Sequence, residues 1–563
     1  MTANYLDSKV MTANYYNMAD FIRENAKKYP YKRAIVIPTS LDHFGHAAYS
    51  SLTFKQLEEE TNRFARGFSK IGIKKGSKVV VLILPGIEMY ITWFALCKIG
   101  ATMVMIDSGI GPKSMSACIK EAEPEAFIGI TKAHIARTIL RWSPQTIKIN
   151  VTVGPKLFWG GYSFYDCRDE DGSEYPIEKM AENETAAMMF TSGSTGISKG
   201  AVYTHGILCN QVHFLQEIYN FNKDDLDLAT FPLFGLFDVC LGSTAVIPDM
   251  DPTKPGKANP VKLLEALNDN GCTVMFGSPA LIDNLSRYGE RHNTKIPSLR
   301  MVISCGAPAR NDILNRLQNM LNPGVEIFTP YGATEALPVS SIGSSMILGE
   351  TAPITDAGGG TCVGYPNEHV QVRIIKITDE PIPEWSESLV IKDGSIGEIA
   401  VKGPIVTKEY FKRPENTALA KIKEGNDIWH RMGDVGRIDE QGRLWFCGRK
   451  SHRVETENGP LFTIPCERVF NQHPNVFRTA LVGVGEIGHQ TPVICVELEK
   501  DVKEIDPQKL FSELMEIGKK YPHTARIDKF LINPSFPVDI RHNAKIGREK
   551  LAVWAADALK GRN

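Results

Sequence analysis

The residues best suited to chemistry are concentrated in one run, TSGSTGISKG (Thr191 to Gly200), which follows an apolar stretch, Ala186 to Phe190. It holds Thr191, Ser192, Gly193, Ser194, Thr195, Gly196 and Lys199. Glycines let backbone N–H groups converge on an anion, hydroxyls add neutral donors, and Lys199 adds a cation; together these suit a polyphosphate. A Ser/Gly run taken alone reads as a linker, but the strand leading in, the lysine and the second glycine leading out favour the phosphate reading. The spacing is not that of a Walker A loop, because Lys199 is followed by Gly200 where that motif needs Ser or Thr.

Elements able to position such a loop are legible around it. From about residue 50 to 330, β-rich runs such as KVVVLIL, ATMVMID, TVMFGSP and RMVISCG alternate with helical patterns, which argues for parallel sheets covered by helices. Between about 360 and 448 strands follow closely on one another (HVQVRIIKI, GEIAVKG, GRLWFCG), as in a smaller β-rich subdomain. A mixed tail of about 110 residues is long enough for a separate α+β domain. The expected fold is therefore α/β: a large N-terminal domain over residues 11–448 and a mobile C-terminal α+β domain over 449–563, with the boundary near Gly448. Gly483, Gly485 and Gly488 form a G-x-G-x-x-G, yet a β-rich run follows where a dinucleotide site needs a helix, so they read as a hairpin or loop. The apolar stretch Val79 to Asp107 is broken by Pro85, Gly86, Glu88, Lys98 and Gly100, and so reads as strand, helix and strand, not as a membrane span.

Composition narrows the function classes. The 563 residues carry 64 Lys+Arg against 65 Asp+Glu, a formal charge of -1, with no basic stripe of the kind nucleic-acid binding needs. The 11 cysteines include no C-x-x-C pair and no zinc-spaced cluster, which fits reduced thiols in a cytoplasm. The opening MTANYLDSKVMTANYYNMAD lacks the basic and then apolar pattern of a signal peptide. Its repeat of MTANY at Met1 and Met11 leaves both starts open.

With TSGSTGISKG in place, the chain resembles the adenylate-forming superfamily of acyl-CoA ligases, fatty acyl-AMP ligases, luciferases and adenylation domains. Further motifs fall in that superfamily's order. YGATE looks like its second nucleotide motif. The resemblance implies that Tyr331, with Gly332, flanks adenine, that Thr334 meets the α-phosphate, and that Glu335 helps to hold Mg²⁺. A carboxylate for the ion is a chemical need, since the phosphates must be neutralised before a second anion, the substrate carboxylate, approaches. SCGAPAR, with Gly306, Ala307 and Pro308, resembles the turn that packs on adenine. Asp434 matches the aspartate that binds the ribose diol, and Arg449 the arginine near the hinge. Lys545 stands where the superfamily carries the lysine of adenylation, a cation brought in by domain closure to stabilise transition-state charge. The implied catalytic set is Thr191, Lys199, Glu335 and Lys545, with ATP and Mg²⁺.

Departures from the pattern point further. After the hinge the chain reads GRKSHRVETENGPLFTIPCERVF, with Ser451 where an acid is common and without the basic loop that lines a pantetheine path. FPLFGLFDVCLG carries Gly235 in place of a histidine, which implies a reshaped acyl tunnel. These features, with KINVTVGPKLFWGG, VIPDMDPTKP and FPVDIRHNAKIGREKLAVWAA, resemble the β-lactone synthetases of bacterial long-chain olefin biosynthesis. The resemblance implies a 2-alkyl-3-hydroxy fatty acid that is adenylated and then cyclised by its own hydroxyl. Phe234, Phe237, Asp238 and His205 are candidates for the acyl side, although Asp238 reads more readily as a backbone-amide partner and His205 as a helix cap. An acyl-CoA or acyl-AMP ligase and a catalytically silent nucleotide-binding partner stand as alternatives. Docking on other olefin-pathway enzymes or on a lipid surface is left open.

Overall fold

The computed structural model describes residues 16–191, 198–500, 502, 504–538 and 546–561. Two sheets dominate it. The seven-stranded sheet runs, edge to edge, Tyr162–Ser163, Ile149–Val153, Ala126–Ile130, Lys78–Leu82, Thr102–Ile106, Thr185–Thr191 and Lys199–Thr204. Its strands are parallel until the last pair, where the chain folds straight back on itself in antiparallel register. The fourteen-stranded sheet has a parallel centre, Leu226–Ala229, Val274–Gly277, Met301–Ser304 and Glu326–Ala333. The β-rich subdomain continues that sheet in antiparallel fashion, through Ser340↔Pro366 and Ser341↔Tyr365, as far as Gln371–Ile375.

One continuous core packs between the sheets, made by helices Met18–Lys28, Phe54–Lys70, Ile87–Ile99, His205–Tyr219 and Pro232–Cys240. The helix Ile87–Ile99 is buried at every position from Met89 onward. A helix apolar on all faces has to be enclosed in this way. Its Lys98 is fully buried and is neutralised by Glu58, at 2.7 Å. No helix among the described residues is long and apolar enough to cross a membrane.

Residues beyond Arg449 build a three-stranded sheet, Val476–Val484, Thr491–Leu498 and Lys529–Ile532, packed by helices Thr463–Phe470, Pro507–Gly518 and Arg548–Leu559. It has its own core, centred on Phe470, Leu481, Ile494 and Leu514. The G-x-G-x-x-G lies where the first two of these strands turn, Gly485 and Gly488 both having positive φ. At the junction Gly448 has φ +127°, and a Cβ there would lie 2.3 Å from Thr463 Oγ1 at the start of the first helix.

Candidate active site

The hairpin Thr185–Thr191/Lys199–Thr204 pairs Thr191 with Lys199, so Lys199 stands at the mouth of the turn that carries the phosphate motif. Ser192, Gly193, Ser194, Thr195 and Gly196 lie outside the described residues, as does the side chain of Thr191. Gly200 follows because the ring of Phe190 comes within 2.7 Å of where its Cβ would be.

A second hairpin, Glu326–Ala333/Ala336–Gly343, carries Thr334 and Glu335 at its turn. Gly332 is needed there, since a Cβ would lie 2.5 Å from the Ala336 carbonyl oxygen. The two hairpins belong to different sheets and are tied by the Tyr203 hydroxyl, which donates to the Thr334 carbonyl; Gln211 on the helix that follows donates Nε2 to the Leu337 carbonyl at 2.7 Å. Gly306, Ala307 and Pro308 leave the end of Met301–Ser304, the strand parallel to and neighbouring Glu326–Ala333, which places them beside Tyr331. The carboxyl ends of parallel strands are where open α/β sheets bind ligands.

Asp434 and Arg449 are cross-strand partners, and their side chains meet at 2.8 Å. The Tyr331 hydroxyl donates to the other carboxylate oxygen of Asp434 at 2.8 Å. Burial pushes the Asp434 carboxyl upward, while Arg449 and Tyr331 pull it back toward the ionised form. Tyr331, Asp434 and Arg449 therefore converge. Lys545 lies outside the described residues; its segment is bracketed by the bridge Val538↔Ile546 and by Arg548, whose guanidinium grips the buried Glu467 at 2.8 Å.

Glu335 tests the fit of a divalent cation. It is a half-buried hard-oxygen donor whose Oε1 accepts from the Tyr410 hydroxyl at 2.6 Å, and the Tyr410 ring carries Lys199 Nζ 5.3 Å from its centroid. A carboxylate beside a phosphate lysine is a donor set that suits Mg²⁺ with phosphate oxygens.

The acyl candidates divide. Phe234 stacks on Phe276 at 4.2 Å, with Phe237 6.4 Å from Phe234 and the partly exposed Phe231 6.1 Å from Phe276. Asp238, on the same helix, is fully buried and faces Asp227 and Tyr90, which are also fully buried. Their four carboxylate oxygens and the Tyr90 hydroxyl have no well-formed hydrogen bond to other groups among the described residues. Burial raises both acids, Asp227 to about 7, so both hold their protons in mildly acid solution. Gly235 admits the Tyr90 hydroxyl, which lies 2.0 Å from where a Cβ would stand. His205 is not brought to the site. Thr204 pairs with Thr185, at the opposite end of the hairpin from Lys199, so His205 is separated from the phosphate turn by the length of the strands, about 20 Å. The helix cap there is Thr204, which accepts from the Ile207 amide at 3.2 Å, and burial holds His205 neutral, with its pKa lowered to about 4.

Sequence reading missed Tyr203, Thr407, Tyr410 and Lys421. No local motif marks them, because each acts on a residue far away in the chain.

A family model, AMP-binding enzyme, matches residues 22–411. The olefin β-lactone synthetase of Xanthomonas campestris pv. campestris is 46% identical over 547 residues, covering 96% of this chain and 97% of its own. That of Stenotrophomonas maltophilia is 44% identical, covering 97% and 99%. Among solved structures, the amide bond synthetase McbA from Marinactinospora thermotolerans superposes with TM-score 0.78 at 20% identity, over 95% of this chain and 99% of its own. An anthranilate CoA ligase in complex with anthranoyl-AMP gives 0.78 at 19% identity, over 98% and 99%. Both show the same fold.

Proposed function

Because the chain belongs to the AMP-binding enzyme family, we propose that it adenylates a long-chain 2-alkyl-3-hydroxy fatty acid and closes the acyl-adenylate to a β-lactone. It is an ATP-dependent, AMP-forming ligase that uses Mg²⁺. The finer reading is carried by one observation, identity of 46% and 44% over nearly the whole length with enzymes named olefin β-lactone synthetase.

The site residues suggest a division of labour. Residues 191–196 and Lys199 hold the β- and γ-phosphates, Asp434 receives the ribose hydroxyls, and Tyr331 with Gly306, Ala307 and Pro308 encloses the adenine. Glu335 holds Mg²⁺, which when bound lowers the negative charge that an incoming carboxylate meets. Lys545, carried by the domain we assign to residues 449–563, bridges the attacking carboxylate and the α-phosphate, where charge develops in the transition state. Pyrophosphate leaves. The 3-hydroxyl then attacks the acyl carbon, its C–O bond forming as the bond to AMP breaks, and its proton leaves with the released AMP phosphate. An internal nucleophile needs no second substrate, and well-oriented groups reach effective molarities of about 10⁵ M or more. Phe234, Phe237 and Phe231 wall the acyl side. The cysteines, buried except for a half-buried Cys305, suit a reducing cytoplasm.

The test offers a 2-alkyl-3-hydroxy acid and ATP with no thiol present. Equal amounts of AMP and β-lactone by mass spectrometry support the reading. A stalled adenylate that turns over only on adding coenzyme A would assign the chain to the acyl-CoA ligases instead.

A further inference from the structure

Between the two hairpins runs a segment, residues 404–411, that belongs to neither. At one end Ala201 bridges Tyr410, with the Phe411 amide donating to Gly200 O at 2.8 Å and that of Val202 to Glu409 O at 3.2 Å. At the other end Ala336 bridges Val406, and the Thr407 amide donates to Glu335 O at 2.9 Å. The strap therefore hydrogen-bonds to the strand that follows the phosphate turn in one sheet and to the glutamate turn of the other.

Two of its residues reach Glu335 from opposite directions. The Tyr410 hydroxyl binds Glu335 Oε1 at 2.6 Å, while Thr407 Oγ1 donates to the Glu335 carbonyl at 3.2 Å. Thr407 is fixed in turn by Lys421, whose buried ammonium donates to the Thr407 carbonyl and, at 3.1 Å, to its Oγ1. Lys199 Nζ and Lys421 Nζ lie 5.3 Å and 5.9 Å from the centroid of the Tyr410 ring. A hydrogen bond to a carboxylate is stronger than a neutral one, and an aromatic ring attracts an ammonium group. One phenol thus sets the orientation of a carboxylate and the seat of a phosphate lysine together.

We propose that Tyr410 is a positioning residue for adenylation, holding the Glu335 carboxylate and Lys199 at fixed separation, with Lys421 anchoring the strap through Thr407. The inference rests on reading Glu335 as the carboxylate that holds the metal. Nucleotide and cation are then met by one prearranged unit, although their ligands come from different sheets. Preorganisation of this kind matters because a carboxylate free to rotate must be ordered each time the ion arrives.

The experiment measures Mn²⁺ affinity by electron paramagnetic resonance with a non-hydrolysable ATP analogue present, in the full-length enzyme and in three variants. Tyr410→Phe keeps the ring and removes only the hydroxyl; Mn²⁺ affinity is expected to fall about tenfold, with metal-free affinity for the analogue unchanged. Tyr410→Leu also removes the seat of Lys199 and should weaken the analogue as well. Glu335→Gln separates the two readings. If it leaves Mn²⁺ affinity intact, Glu335 is not the metal carboxylate; if it weakens Mn²⁺ while Tyr410→Phe does not, the positioning role is overturned. A fall in thermal stability of Tyr410→Phe without a change in Mn²⁺ affinity would overturn it too.

Discussion

Replacing Asp227 with asparagine should change how stability depends on pH. In the folded chain Asp227 is raised to about 7, against 3.8 for the free side chain, by burial beside Asp238. Between those two values the native state keeps a proton that the unfolded chain has released. Stability supplied by that proton is complete at acid pH and is lost as pH climbs toward 7. The loss runs at about 1.4 kcal/mol per pH unit and tapers as pH reaches 7, so the wild type should give up about 2 kcal/mol between pH 5 and 7 from this group. Asp227→Asn removes the titration and keeps the shape, leaving the Asp238 proton in place. A domain of several hundred residues shifts in Tm by about 1 °C per kcal/mol. The gap in Tm, variant minus wild type, should therefore widen in the variant's favour by about 2 °C from pH 5 to 7. Differential scanning calorimetry at one heating rate measures it, since unfolding of a chain this size responds to scan rate. The change of the gap is the readout, because the constant offset also contains whatever the amide loses in hydrogen bonding. Parallel Tm curves across that range would refute a raised Asp227.

Three further outcomes are expected. Lys545→Ala should abolish acid-dependent exchange of labelled pyrophosphate into ATP while a preformed adenylate mimic still binds within several-fold; near-normal exchange would remove Lys545 from the transition state. Asp434→Ala strips the carboxylate from between Tyr331 and Arg449 and should raise the KM for ATP by about tenfold or more, with the KM for the acid unchanged in steady-state kinetics. His205→Gln should keep pyrophosphate exchange within about twofold and should lose less Tm than the wild type below pH 6, because a histidine held neutral with its pKa near 4 destabilises the fold once the unfolded chain protonates near 6.5; matching acid profiles would contradict that.

The alternation of β-rich and helical runs gave the sheets because each strand's apolar pattern is local. YGATE stands at a hairpin turn where Gly332 has no room for a Cβ, a need that a short motif can carry. Asp238 shows where reading stopped. Its sequence neighbours suggested a partner for backbone amides, whereas its actual partner is Asp227, on a strand, with Tyr90 arriving from a helix far earlier in the chain. Tyr410 meets Glu335 across 75 positions, and nothing in KEYFKRPE marks that reach. His205 reads as an acyl-side candidate or, more readily, as a helix cap; the cap is Thr204, one position earlier, a choice of neighbour that sequence pattern does not decide.

At Gly448 the docked small domain leaves no room for even a methyl group, Thr463 Oγ1 standing 2.3 Å from the position it would take. The contact also calls for a left-handed φ that other residues avoid. A bulkier residue there would act as a wedge, prising the first helix of the small domain from the strand that ends in Arg449. The seating of helix Thr463–Phe470 on that strand thus depends on one missing side chain, and Gly448→Val would force the two apart.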